Sequence, residues 1–126
     1  MSDERIDFVE RLVSLFPYLR ALLLEHKSDN FGEILLHLFI ADLARKATDM
    51  YVALRSKSSD DRDQLETSLR NLLAFLETSY MSNDTEVREL LSASFLENLP
   101  RQGEGEGWRI RQWFGPKMRE QLDIIG

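Results

Sequence analysis

Apolar residues recur with helical spacing from Phe31 to Leu54, and this run constrains the fold more than anything else in the chain. Leu36, Ile40, Leu43, Ala47, Met50 and Leu54 form one continuous stripe, and Phe31, Ile34, Leu35, Leu38 and Phe39 add apolar surface around its N-terminal half. A helix of this kind needs other helices around it, so its N-terminal half is expected to be the most enclosed part of the fold. Asn30 and Glu33 in "NFGE" have the spacing of a capping box, which predicts that the helix starts there.

The flanking segments repeat the pattern. The first, from about Asp3 to His26, places Ile6, Val9, Val13 and Phe16 on one face, and Pro17 predicts a break or a fresh helix start. After the polar connection "SKSSDDRD", Asp63 and Glu66 offer a second capping box before a helix with Leu65, Leu69, Leu72, Leu73, Leu76 and Tyr80 on one face. A third box, Asn83 with Glu86, opens a helix that buries Val87, Leu90, Leu91, Ser94 and Phe95. The short "MSND" link implies an antiparallel hairpin, and Ser92, Ala93 and Ser94 leave room for a neighbouring helix to approach closely.

Strand signals are scarce, since no segment alternates apolar and polar residues over a strand's length. The reading is all-α: a single domain, residues 1–126, built as a bundle of five to six helices in antiparallel hairpins. "LRNLLAFLE" and "VRELLSASFLE" echo one another, broken by a two-residue insertion; HEAT-like stacking is one reading, and two helices solving one packing problem is the stronger. "PRQGEGEG" reads as a linker at about 100–107, and the tail 108–126 carries Trp108, Ile110, Trp113, Phe114, Met118, Leu122 and Ile125, enough apolar surface to dock. Pro116 suits the first turn of a short last helix.

A chain of 126 residues buries roughly two-thirds of its unfolded surface and needs no metal or disulfide to fold. It contains no cysteine, which removes disulfides, thiolate nucleophiles and cysteine-based metal sites. The acidic start "MSDERIDFVE" does not resemble a signal peptide, and no apolar run approaches the roughly 18 residues of a membrane span. A cytoplasmic protein with no membrane partner is expected.

Metal binding fails on ligand supply. His26 and His37 are the two histidines, and Glu33 with His37 has no second copy, so a helix-surface pair or a hydrogen-bonded histidine is favoured. No nucleophile elbow, Ser-x-x-Lys or P-loop pattern occurs, and "GEGEG" follows a proline and lacks the phosphate-binding lysine. Asp42 interrupts the hydrophobic "LLHLFIADLA"; a carboxylate there can serve as a general acid or base, but neutralisation by Arg45 or Lys46 is the stronger reading. No catalytic residue, cofactor or metal is assigned, and a binding protein rather than an enzyme is expected.

The net charge of −6 is uneven. Residues 101–126 hold five Lys/Arg against four Asp/Glu, +1, while residues 1–100 hold eleven against eighteen, −7. A body of that sign disfavours nucleic acid and favours a basic protein partner. Asp60, Asp61, Asp63 and Glu66, with Asp84, Glu86 and Glu89, lie in the opening turns of the two hairpin helices, where the helix dipole favours acids. Their outward carboxylates can also steer a partner, and this acidic hairpin edge is the predicted interface. Trp108, Arg109 and Arg111 form the secondary candidate, although tryptophans in a tail most often pin it to the core.

Three stretches, "GEILLHLFIADLA" (32–44), "SNDTEVRELLSASFLENL" (82–99) and "FGPKMREQL" (114–122), resemble a poorly characterised family of small, acidic, all-helical bacterial proteins that read as immunity-type proteins of toxin systems. The shared motifs are caps and packing residues. The resemblance implies an all-helical fold and a non-catalytic role, in which a rigid surface binds a cognate toxin or effector domain, basic in charge, and occludes its active site. Two alternatives stand beside it: a HEAT-like adaptor for a host protein, and a small enzyme centred on Asp42 and His37, which predicts a pocket enclosing both. Homodimerisation through the tail is compatible with each.

Overall fold

The computed structural model describes residues 4–82, 84–101 and 103–125. They form helices α1 (Glu4–Leu15), α2 (Leu19–Asp29), α3 (Leu36–Ala53), α4 (Ser59–Tyr80), α5 (Thr85–Leu90) and α6 (Pro116–Ile125), with no strand among the described residues. A 3-10 turn, Leu54–Ser56, extends α3. Helix α5 runs directly into a π-helical turn, Leu91–Phe95, and a 3-10 turn, Leu96–Asn98. The seven-residue 3-10 helix Gly107–Trp113 carries the tail to α6.

The stripe on α3 is the centre of the bundle: Ile40, Leu43 and Ala47 are fully buried, and Met50 and Leu54 nearly so. Helices α2 and α4, the π turn and the 3-10 helix all pack on α3, while α1 lies against α2 and α5 and α6 lies against α4. The stripes on α4 and α5 face the same interior, with Leu69, Leu72, Leu76, Leu90, Leu91 and Phe95 fully buried. The tail docks as expected through Ile110, Phe114, Met118 and Leu122. Its approach is close: a Cβ on buried Gly107 would lie 2.6 Å from the Thr48 methyl.

Three helix starts differ from expectation. Asn30 ends α2 instead of opening α3: its amide donates to the Lys27 carbonyl at 3.1 Å and its side chain to the His26 carbonyl at 2.8 Å. Phe31 and Gly32 then take positive φ, 58° and 83°, which stops the helix, and α3 begins only after Leu35. Phe31, Leu35 and Leu38 are consequently exposed, because they sit in the loop or across the helix axis from the buried stripe. Helix α4 starts at Ser59, a turn earlier than the Asp63 box required, and Glu66 pairs with Arg70 at 3.8 Å. Asn83 lies outside the described residues, and Asp84 caps α5, accepting from the amides of Glu86 at 3.0 Å and Val87 at 3.1 Å.

The segment read as a linker is held as a turn. The Arg101 amide donates to the Glu104 carboxylate at 3.0 Å, the Glu104 amide to the Arg101 carbonyl at 2.9 Å, and Glu106 pairs with Arg55 on the 3-10 extension of α3.

Candidate functional site

Capping by Asp84 fixes the rotation of α5. Val87 and Leu90 turn inward, so Glu86 and Glu89, each one residue before a buried position, turn outward. Glu97, two helical turns on, joins them on the wall of an open cleft of about 380 Å³. Ser92 and Ala93 form part of that wall, Arg5 of α1 contributes a cation, and His37 lines it from the first turn of α3. His37 does not pair with Glu33, which lies outside the helix; its Nδ1 meets the Ser94 hydroxyl. Ser94 is buried beneath the cleft, so this contact ties α3 to the π turn rather than offering a nucleophile to solvent. Gln121 of α6 donates to Ser92 at 3.1 Å, bracing the same turn from the other side.

Glu4 and Asp84 share a hydrogen bond in a separate cleft, which both residues line with Phe8 and Phe75. The bond to Asp84 and the repulsion from it raise the Glu4 carboxyl above its usual 4.5; the same bond, together with the Val87 and Glu86 amides, lowers Asp84 below 3.8. The signs oppose. The Asp84 contribution to stability is complete above its unfolded value and lost as pH falls through its folded one, whereas the Glu4 contribution is present in acid and lost as pH rises through its raised value. In Asp84→Asn the urea midpoint is expected to lose its fall below about pH 4 attributable to this group. An acid limb identical to that of the parent would remove Asp84 from the account.

The predicted acidic edge divides into two. Asp60, Asp61 and Asp63 are exposed in the first turns of α4, while Glu86 and Glu89 lie near its other end, on the order of 20–30 Å away for a helix rising about 1.5 Å per residue. The antiparallel hairpin causes this separation, because both helices carry their acids at their own starts. Glu66 is drawn into a stack at the surface of the bundle: it reaches Arg70, whose guanidinium lies 3.8 Å from the Trp113 ring centroid, and Trp113 meets Tyr51 edge-on at 5.1 Å. Arg109 stays exposed and covers half-buried Trp108 at 5.7 Å; half-buried Arg111 donates from Nε to the Pro100 carbonyl at 3.0 Å. Trp108 and Arg111 line a second cleft, against α6 with Arg119 and Asp123, that does not include Glu86 or Glu89.

Asp42 is not enclosed by its hydrophobic surroundings: its side chain is 35% exposed and pairs with Arg45. Its other oxygen lies 3.7 Å from Nδ1 of buried His26, whose Nε2 accepts the Leu35 amide at 2.9 Å. Accepting at Nε2 places the His26 proton on Nδ1, towards Asp42, and the pair positions the α2–α3 loop. Asp42 and His37 line different clefts. Among the described residues, no group of three or more His, Asp or Glu side chains is arranged to hold a metal ion, and no helix is long and apolar enough to cross a membrane.

The functional group that sequence reading missed most clearly is Glu77. It is buried on α4, and its two carboxylate oxygens accept the amides of Lys117 at 2.8 Å and Met118 at 3.0 Å, capping α6 from 40 residues away. The signal was present, since Glu77 stands four residues after Leu73 on the apolar face.

These features define a small, all-helical bundle with open, charged clefts. The sequence profile of DUF7674, a domain of unknown function, matches residues 9–124, and the chain belongs to that family. Neither a curated protein nor a solved structure matches it.

Proposed function

We propose that the chain is a non-catalytic binding protein of the immunity type, which captures a basic toxin or effector domain and occludes its active site. The observation that carries this reading is the placement of Glu86, Glu89 and Glu97 on one cleft wall of a chain whose net charge is −6. Three carboxylates on packed helical turns, two on α5 and one on the 3-10 turn that follows it, are positioned before a partner arrives, so little ordering of their backbone is required on binding, and their field steers a basic surface into contact. Carboxylates so placed would occupy the positions that substrate phosphates take if the toxin is a nuclease.

The test is capture of tagged protein from its own producing cells, with the bound protein identified by mass spectrometry and assayed for toxicity and for inhibition by this chain. Recovery of one stoichiometric basic toxin supports the reading; recovery of a housekeeping complex supports the adaptor instead. Glu86→Lys and Glu89→Lys are each expected to weaken capture by about tenfold, mainly through slower association at low salt, while the urea midpoint stays unchanged. Unaltered affinity in both variants would remove this cleft from the interface.

A further inference from the structure

Phe31 combines two features that a folded chain usually avoids. Its side chain is fully exposed, and its backbone lies in the left-handed region at φ 58°. The position follows from the end of α2, where the Gly32 amide folds back to the Lys27 carbonyl at 2.7 Å. The residue after the helix C-cap then turns left-handed, a place glycine ordinarily occupies, and here the glycine comes one residue later.

The loop is nevertheless firmly held. Buried His26 takes the Leu35 amide on its ring and the Asn30 side chain on its carbonyl, and the Glu33 amide donates to the Asn30 carbonyl at 3.0 Å. A phenyl group that contributes nothing to the core is therefore presented on an ordered corner. Leu35 and Leu38 follow it in the chain and are also exposed. Around them, residues 25–35 carry Glu25, Asp29 and Glu33 against Lys27, a net −2.

We infer that Phe31 is the anchor of a protein interface, seated in an apolar pocket that the partner rims with lysine or arginine. This deepens the binding-protein reading and rests on it. An aromatic side chain with few rotatable bonds, on a pre-ordered loop, loses little entropy when it docks, and the flanking carboxylates match a basic rim. It also accounts for the strain: a local conformation that weakens the fold persists where it serves recognition.

The test places the photo-crosslinker benzoylphenylalanine at position 31 of the full chain in its producing cells, with the same group at exposed Leu15, at the opposite end of α1 from Arg5, as control. The expected result is one adduct from position 31 and none from position 15, mapped to a partner peptide in which apolar residues are flanked by lysine or arginine. Tagged capture that recovers a partner with no adduct from position 31 overturns the inference, and so does an adduct to a second copy of the chain. An adduct partner without toxicity leaves the inference standing and overturns the toxin reading alone. Phe31→Gly supplies the second arm: capture of the same partner falls about tenfold while the urea midpoint rises or holds. A lower midpoint would show that the phenyl group serves the fold, and would overturn the proposal.

Discussion

Replacing Glu77 by alanine is expected to lower the stability of the chain by about 2–4 kcal/mol, because it leaves the amides of Lys117 and Met118 without acceptors where water reaches poorly. Charge-assisted bonds at a helix N-terminus are among the stronger single contacts in a fold, and this carboxylate makes two. Helix α6 should detach first, releasing Met118 and Leu122 from the core. Gly115 gives the sharper test. A Cβ there would lie 2.5 Å from both Cγ and Cδ of Glu77, so Gly115→Ala is expected to cost about 1–3 kcal/mol through forced displacement of a buried side chain. The two losses share one cause, so Gly115→Ala should cost far less when Glu77 is already alanine. Urea unfolding of the four proteins in the cycle decides it: simple additivity would show that Glu77 and Gly115 do not act on each other.

Phe95→Ala should have the largest effect of any single truncation considered, about 3–5 kcal/mol, out of a total stability of about 5–15 kcal/mol for a domain of this kind. Phe95 is fully buried and closes the π turn, with its ring 6.0 Å from that of Phe114 in the tail. The wide turn allows Leu91, Ser94 and Phe95 to face inward together, so one residue joins α3, the hairpin and the tail. The measurement is the urea midpoint at unchanged slope. A loss under about 1 kcal/mol would mean that the cavity closes by rearrangement and that the π turn is not a fixed part of the core. Phe31 makes the natural contrast: the same residue type, with the opposite burial and the opposite expected sign.

Much of the fold was legible in the chain because helix faces are a local property. The stripes on α3, α4 and α5 came from spacing alone, and burial followed them. The break near Pro17, the short hairpin link, the start of α6 at Pro116 and the docking of the tail were also visible, each set by residues within a turn or two of the event.

Sequence by itself therefore determined the all-helical class, the inward faces and the excess of acid. Only tertiary structure decided which acids work together and where helices begin. Asn30 had the residue type and spacing of a helix start, yet a left-handed turn after α2 made it a helix end, with buried His26 holding the loop beyond. The acids of α4 and α5 are alike in sequence but lie at opposite ends of a 22-residue helix, because the hairpin reverses direction. Glu77 caps a helix 40 residues further on, and Ser94 meets His37 from 57 residues away. Periodicity fixes which way a side chain points within its own helix; what it meets there depends on how helices distant in sequence are brought together, and no local pattern encodes that distance.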